Sequence, residues 1–301
     1  MFYIVLLYAV LASTFVFAKK ALEIANPFFL IGIRMILAGV FLIAYQGVFR
    51  KDRFFLRKKD LWLFFKVSLF HIYLSYMFEF WSLQHLTALK TTIIYSATPF
   101  IGAILSYFLL SERLTKNKVF GICVGLSGIV PVIVAQSGAA EAAMELGCIS
   151  LPEVVLFAAV VVGAYAWFIV KELIGRGYDL VMINGIAMLV GGVGAMVSAG
   201  FIEGFANPIQ DFWPFLLWLS LLILSANVIV YNLYGWLIKR YTITFVMFAG
   251  FLSPSFGTLY EWLFFDGRIS WHHFLSILLV AVGLYLFNKD ELKNLALSKI
   301  K

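Results

Sequence analysis

The chain contains Ser96-Ala-Thr-Pro-Phe-Ile-Gly-Ala-Ile-Leu-Ser-Tyr-Phe-Leu-Leu-Ser-Glu-Arg-Leu-Thr115 and repeats this pattern, in degenerate form, as Phe251-Leu-Ser-Pro-Ser-Phe-Gly-Thr-Leu-Tyr-Glu-Trp-Leu-Phe-Phe-Asp-Gly-Arg-Ile-Ser270. Working outward from these segments, further identical residues share the same spacing of 155 positions. A single spacing maintained over roughly 50 residues predicts an internal duplication. The identical pairs are Pro99 and Pro254, Gly102 and Gly257, Arg113 and Arg268, Trp81 and Trp236, Tyr76 and Tyr231, and Gly128 and Gly283.

The composition predicts a helical membrane protein. Hydrophobic residues make up 63% of the chain and charged residues only 13%, against about 25% charged in soluble domains. Apolar runs of the roughly 20 residues needed to cross about 30 Å of hydrocarbon follow one another, and their continuous apolarity excludes the alternating pattern of a barrel. We predict an all-α integral membrane protein with ten transmembrane helices, at residues 2–22, 27–48, 60–82, 87–110, 118–137, 153–175, 180–203, 212–238, 242–265 and 271–288.

The lysines and arginines predict how the chain is oriented. With a cytoplasmic N-terminus, 17 of the 23 basic residues lie in cytoplasmic loops, and only Lys19, Lys20, Lys90 and Arg268 lie outside. Because basic residues concentrate in cytoplasmic loops, we expect both termini to be cytoplasmic and the chain to lie in the cytoplasmic (inner) membrane. The same distribution accounts for the net charge of +7, so no nucleic-acid partner is expected.

The duplication divides the chain into two halves. Residues 1–137 form a first five-helix repeat, residues 138–152 a connecting outer loop, residues 153–288 a second five-helix repeat, and residues 289–301 a cytoplasmic tail. Because each half has an odd number of spans, the second half enters the membrane in the opposite orientation, which predicts an inverted repeat. Inverted repeats are typical of transporters that expose one central site alternately to each side.

Three segments resemble a known family. The first span closes with Ser13-Thr-Phe-Val-Phe-Ala-Lys-Lys20, and the second contains Ile-Gly-Ile-Arg-Met-Ile-Leu-Ala around Arg34. The fourth ends with Glu112-Arg113-Leu114-Thr115, and the glycine series Gly121, Gly125 and Gly128 follows. On these residues the chain resembles the EamA family of the drug/metabolite transporter superfamily. The resemblance covers the whole chain, is weaker in the second copy, and implies a ten-helix carrier of small organic metabolites with a central cavity.

Ionisable side chains within the spans are candidate site residues, because a charge there costs about 2.5–3.5 kcal/mol on insertion scales. Arg34, about 10 Å deep, is a candidate for binding a carboxylate or phosphate; the alternatives are an ion pair with Glu79 and snorkelling to the interface. Glu79 is a candidate partner for an ammonium, a sulfonium or a coupling proton, and Lys90 for ligand contact, with interfacial anchoring as the alternative for both. His71 is either a proton relay or a structural histidine.

Aromatic and amide side chains complete the candidate site. The resemblance places the spans that contain them around the cavity, and flat aromatic walls with a few amide groups suit a planar or amphiphilic solute. These candidates are Tyr76, Tyr95, Trp167, Tyr231 and Tyr234, with Asn227 and Asn232.

The two equivalent prolines predict bends. Pro99 and Pro254 lie near the middles of predicted spans, where a proline removes a helical hydrogen bond and bends the axis. Their matching depth favours hinges that take part in transport, with simple packing kinks as the alternative.

These observations predict a membrane transporter that moves a small organic metabolite by alternating access, one half rocking against the other. Arg34, Glu79 and the aromatic residues fit an amino acid or a purine-containing metabolite such as S-adenosylmethionine. The alternatives are a passive channel and an intramembrane lipid-modifying enzyme, although the chain has no His-Glu-x-x-His or Gly-x-Ser-x-Gly motif. We expect no catalytic residue, cofactor or metal. The expected partners are the substrate, the lipid bilayer and a coupling or exchange ion or solute, and a monomer and a homodimer remain open.

Overall fold

The described part of the chain is almost entirely helical. The computed structural model describes residues 2–86, 91, 94–111, 115–128, 130–131, 150–264 and 271–298. Within these ranges the β pairing is one isolated bridge, between Ala25 and Ile209. The helices are α1 Phe2–Leu22, α2 Pro27–Phe49, α3 Lys58–Leu83, α4 Thr98–Leu110, α5 Lys116–Ser127, α6 Leu151–Gly175, α7 Leu180–Ile202, α8 Phe212–Ile238, α9 Ile243–Phe248, α10 Ser253–Phe264 and α11 Trp271–Ser298.

Six helices are long and apolar enough to cross a membrane, namely α1, α2, α3, α6, α7 and α8. Their ends agree with the predicted spans to within two residues, which confirms those six predictions. The predicted spans 87–110 and 118–137, and the predicted loop 138–152, fall partly on residues outside the described ranges. Helix α4 and the apolar parts of α9 to α11 are shorter.

Local signals in the sequence explain where several helices begin. Ser150 and Glu153 form a capping box at the start of α6, where Pro152 occupies the first turn. The Asp179 carboxylate accepts a hydrogen bond from the Val181 backbone amide at 3.0 Å and so caps α7. Such caps satisfy backbone amides that have no partner within the helix.

The spacing of 155 residues relates secondary structure as well as residue identity. Shifting α4, residues 98–110, by 155 gives 253–265, and α10 is Ser253–Phe264. Shifting α2, residues 27–49, gives 182–204, and α7 is Leu180–Ile202. The two copies therefore fold into matching helices.

Two of the equivalent helices share an unusual internal feature. Helix α3 contains a π-helical segment, Ser68–Leu74, and α8 contains another, Ile223–Val230. Their first residues are 155 positions apart. A π-helical segment widens the turn, and such segments are frequent at functional sites.

Both prolines lie at the start of a helix. Pro99 is the second residue of α4, and Pro254 is the second residue of α10. Each follows a change of backbone geometry, a turn at residues 96–97 in the first copy and a 3₁₀ segment, Ala249–Leu252, in the second. A proline in the first helical turn favours a helix start, so each proline marks an interruption within its predicted span. That these interruptions act as hinges stays a prediction.

Helices α2 and α7 pack along each other and run antiparallel. Gly32 lies against Met196, Gly39 against Leu189, and Ile43 against Gly185. A Cβ added to Gly39 would lie 2.5 Å from the Leu189 backbone nitrogen. Small residues permit this approach, which is how helices gain contact energy in lipid.

Helices α5 and α11 also pack closely through glycines. A Cβ added to Gly283 would lie 2.7 Å from the Gly125 backbone nitrogen, and one added to Gly121 would lie 2.7 Å from the Phe287 nitrogen. Both tight contacts, α2 with α7 and α5 with α11, join an element of one copy to its counterpart in the other.

Polar contacts join the two copies at both ends of the α2–α7 pair. Where α2 ends and α7 begins, Arg50 pairs with Asp179 at 3.0 Å, and Arg176 pairs with the buried Asp60. Where α2 begins and α7 ends, the Glu203 carboxylate accepts hydrogen bonds from the backbone amides of Phe28 and Phe29.

The outer surface is apolar. Large hydrophobic side chains on several helices are exposed, a pattern that suits contact with lipid chains. Examples are Phe41, Phe108, Phe201, Trp213 and Phe274.

Candidate binding site

Two tyrosines at equivalent positions of the two copies meet inside the helix bundle. Tyr76 follows the π-helical segment of α3 by two residues, and Tyr231 directly follows that of α8. The Tyr231 hydroxyl donates a hydrogen bond to the Tyr76 hydroxyl at 2.9 Å. This pair forms the centre of a polar and aromatic cluster.

Arg34 of α2 supplies a buried positive charge beside this pair. Its guanidinium carbon lies 4.8 Å from the centroid of the Tyr76 ring, and the residue is only 3% exposed. Among the described residues, Nε and Nη2 of Arg34 have no hydrogen-bond partner. Buried charges are normally paired, and the guanidinium fork matches a carboxylate or a phosphate in geometry. The Arg34 guanidinium can therefore bind an anionic group.

Glu79 supplies a negative charge close to Arg34. It lies three residues after Tyr76 on α3, and its carboxyl group interacts electrostatically with the Arg34 guanidinium. The Tyr95 hydroxyl lies within hydrogen-bonding reach of the same carboxyl group. Glu79, Tyr76 and Tyr95 are all partly exposed although they lie between helices. A buried positive charge and a partly exposed negative charge thus lie in one small region.

A group of aromatic rings forms the other side of the cluster. Trp167 of α6 stacks on Tyr234 of α8, with ring centroids 3.9 Å apart and planes 21° from parallel. Trp167 also lies 6.0 Å from Tyr231. The His71 ring makes edge-on contacts with Trp167 and with Tyr231, with ring centroids 4.5 Å and 5.0 Å apart respectively. We call Trp167, Tyr231, Tyr234 and His71 the aromatic wall.

Asn227 lies behind this cluster rather than in it. Its side chain is fully buried, and its Nδ2 atom is 3.0 Å from the Met35 sulfur and 3.6 Å from the Met188 sulfur. These are weak hydrogen bonds, and among the described residues Oδ1 of Asn227 has no partner. In this conformation Asn227 connects α8 to α2 and α7.

Most of the residues predicted to bind substrate lie together in the structure. Arg34, Glu79, Tyr76, Tyr95, Tyr231 and Trp167 form one continuous set of contacts. Asn227 is set back from them, and Lys90 lies outside the described residues. Pro99 is buried and does not belong to the cluster.

Tyr234, a candidate from the sequence at the position equivalent to Glu79, lies in the aromatic wall, and the Asn232 side chain accepts a hydrogen bond from Asn184 of α7 at 3.3 Å. The structure adds one residue that the sequence did not single out. Tyr8 of α1 lies within hydrogen-bonding reach of Tyr234 and donates to the Val246 backbone carbonyl. No signal in the sequence connects Tyr8 to this cluster.

The arrangement fits a ligand with two chemically different ends. Arg34 and Glu79 suit a zwitterion, a carboxylate on the first and an ammonium or sulfonium on the second, while the aromatic wall suits a planar ring. The described residues include no group of three or more His, Cys, Asp or Glu side chains able to hold a metal ion.

Comparison with known proteins identifies a family. The profile of the EamA-like transporter family matches residues 1–134 and, a second time, residues 151–289. The two matches correspond to the two copies found in the sequence.

Two similar proteins come from Chlamydia. A protein of Chlamydia muridarum named S-adenosylmethionine/S-adenosylhomocysteine transporter is 29% identical over 257 residues, covering 84% of this chain and 80% of the relative. A protein of the same name from Chlamydia trachomatis is 31% identical over 256 residues, covering 84% and 77%.

One crystal structure shows the same fold. It aligns with a TM-score of 0.70 and 18% sequence identity, over 95% of this chain and 93% of the other. At this identity the likeness extends to the fold alone.

Proposed function

Because this chain belongs to the EamA-like transporter family, we propose that it moves S-adenosylmethionine, S-adenosylhomocysteine or a closely similar amino-acid conjugate across the membrane by alternating access. As a member of the drug/metabolite transporter superfamily, the chain is a multi-pass membrane transporter and not an enzyme. Its cargo is the specific part of the proposal.

One observation supports this cargo most strongly. Arg34 is buried beside the Glu79 carboxyl group, and two of its guanidinium nitrogens have no hydrogen-bond partner among the described residues. The Tyr76–Tyr231 hydrogen bond connects this charged end of the site to the aromatic wall. S-adenosylmethionine offers matching groups, namely a carboxylate, an ammonium, a sulfonium and a purine ring. The names of the Chlamydia relatives point to the same class of cargo.

The proposal places the carboxylate of the cargo on Arg34, where two parallel hydrogen bonds can form. The ammonium or sulfonium lies between Glu79 and the rings of Tyr76 and Tyr95, since a cation is attracted both to a carboxylate and to aromatic faces. Lys90 belongs to the proposed site on sequence grounds alone.

The proposed topology has ten spans in two inverted five-helix repeats, with both termini cytoplasmic. The antiparallel packing of α2 on its counterpart α7 supports the inversion, and the concentration of basic residues in alternate loops supports the orientation. The cytoplasmic membrane is the proposed location.

Alternating access requires helices that change shape. The two π-helical segments and the helix starts at Pro99 and Pro254 occur in equivalent places of both copies. Interrupted helices of this kind are typical of transporters, where they lie beside the substrate site. We propose these four places as the hinges, of which the two π-helical segments end within two residues of Tyr76 and Tyr231.

A binding experiment tests the cargo. Detergent-purified protein is titrated with S-adenosylmethionine, S-adenosylhomocysteine, methionine and adenosine, with thermal stabilisation and equilibrium binding as readouts. The proposal is supported if the two adenosyl compounds stabilise the protein. This stabilisation should be smaller in Arg34→Gln and Glu79→Gln and unchanged in Arg240→Gln. Arg240 is a suitable control because it is exposed and stacks on Trp236 away from the site. If both site variants bind the adenosyl compounds as tightly as wild type does, the proposed site is refuted. If wild type binds neither adenosyl compound, the proposed cargo is refuted.

A further inference from the structure

His71 is buried in the aromatic wall with an unsatisfied polar atom. It is 4% exposed, and among the described residues its Nε2 atom has no hydrogen-bond partner. It lies within the π-helical segment Ser68–Leu74 of α3.

Packing alone does not explain a histidine at this position. Its contacts with Trp167 and Tyr231 are edge-on ring contacts at 4.5 and 5.0 Å, which a phenylalanine ring makes equally well. A buried polar atom without a partner costs free energy. The polar edge of His71 therefore needs a partner that the described residues do not provide.

The position of His71 indicates what this partner is. Arg34 contacts one member of the tyrosine pair, Tyr76, while His71 contacts the other, Tyr231. Arg34 and His71 thus contact different members of the pair. A ligand whose carboxylate binds Arg34 and that extends past the pair would bring its other end to the aromatic wall.

We propose that His71 determines specificity by forming a hydrogen bond, through Nε2, to a ring-edge nitrogen or exocyclic amino group of a planar nitrogen heterocycle. This inference rests on the proposed function and names the part of the cargo that the second end of the site recognises. Neutral imidazole Nε2 donates or accepts according to tautomer, so it pairs with either kind of purine-edge atom. Trp167, which is partly exposed, supplies a face on which the ring stacks.

This role makes the site selective for the base. A free aliphatic amino acid fills the Arg34 and Glu79 end but leaves Nε2 of His71 unpaired. A site built to hydrogen-bond a ligand rejects analogues that lack the matching group, because its own polar atom is then left without a partner.

The test combines variants of His71 with analogues of the ligand. His71→Phe keeps the ring contacts and removes the hydrogen bond, and His71→Asn keeps a hydrogen-bonding side chain. Binding to purified full-length protein is measured for S-adenosylhomocysteine and for a set of analogues in which each purine ring nitrogen is replaced in turn by CH and the exocyclic amino group by hydrogen. Thermal unfolding in detergent verifies that each variant is folded.

The expected result is a loss of about tenfold or more in affinity for S-adenosylhomocysteine in His71→Phe, with a smaller loss in His71→Asn. One analogue in the set should bind wild type and His71→Phe with equal affinity, because it lacks the atom that His71 contacts. Unchanged affinity in His71→Phe, or an equal loss for every analogue, would overturn the inference and leave the proposed function intact. Failure of the wild type to bind any adenosyl compound would instead refute the proposed function, and this inference with it.

Discussion

The hydroxyl groups of Tyr76 and Tyr231, which occupy equivalent positions 155 residues apart, are hydrogen-bonded to each other at 2.9 Å. A residue can meet its own counterpart only near the axis that relates two copies. The bond therefore marks the centre of the proposed inverted repeat, and it connects Tyr76, which contacts Arg34, to Tyr231 of the aromatic wall.

Removing this hydrogen bond should weaken the packing between the two copies. Tyr231 is the donor, so Tyr231→Phe leaves the Tyr76 hydroxyl without its partner. We expect Tyr76→Phe and Tyr231→Phe to be coupled by about 0.5–1.5 kcal/mol in a double-mutant cycle, measured by equilibrium unfolding in mixed micelles. Tyr107→Phe, at an exposed position, is the control and should show no coupling to either. Additive effects of the two site variants would mean that the bond contributes nothing.

Arg34 should be essential for affinity. Truncating one partner of a buried charged contact costs about 2–5 kcal/mol, so Arg34→Gln is expected to weaken binding of S-adenosylhomocysteine by about 30-fold or more. Arg34→Lys keeps the charge but loses the two parallel hydrogen bonds, and its affinity should lie between those of Arg34→Gln and wild type. Isothermal titration of the purified variants measures both, and equal affinity of all three proteins would exclude Arg34 from the site.

The close contact between α2 and α7 should not tolerate a larger residue. A Cβ at Gly39 would lie 2.5 Å from the Leu189 backbone nitrogen, whereas one at Gly47, on the same helix, would meet no atom within 4 Å. Overpacking costs about 1–3 kcal/mol, so Gly39→Ala is expected to lower the unfolding temperature in detergent. Gly47→Ala is the matched control and should not lower it, because alanine favours a helix more than glycine does. Equal stability of the two variants would show that the helices can separate without cost.

The buried acid where α2 ends and α7 begins should matter more than an exposed one nearby. Asp60 is 0% exposed and accepts hydrogen bonds from Tyr178 at 2.7 Å and from Arg176, while Asp52 lies on the surface beside Arg53. Because hydrogen bonds to charged groups contribute about 1.5–3 kcal/mol, Asp60→Asn is expected to destabilise the protein by about that amount. Asp52→Asn should change stability by less than about 1 kcal/mol. The same unfolding measurement compares them, and a loss in Asp52→Asn as large as that in Asp60→Asn would contradict this assignment.

Much of the fold could be predicted because its determinants are local. Long apolar runs such as residues 212–238 identify a membrane span by length and composition, and the structure places a helix there with the same ends. The spacing between Tyr76 and Tyr231 identified equivalent positions before any contact was known. These signals need no information about distant neighbours.

The behaviour of the prolines and of His71 could not be predicted in the same way. Whether Pro99 bends a helix or begins one depends on the geometry of residues 96–97, which apolarity does not report. From the sequence, His71 could be a proton relay or a structural residue. Its contacts with Trp167 and Tyr231 are visible only in the structure, and they place its Nε2 atom among aromatic rings. The π-helical segment that contains it has no clear sequence pattern.

Transport itself is tested most directly by exchange in proteoliposomes. Vesicles that contain the purified protein are loaded with unlabelled S-adenosylhomocysteine and diluted into a trace of labelled S-adenosylmethionine. The proposed function predicts saturable uptake that is faster with internal substrate than without it, is lost in Arg34→Gln and persists in Arg240→Gln. Linear, non-saturating entry that is independent of the internal substrate would indicate a passive channel, and absence of entry in all vesicles would contradict transport of this cargo.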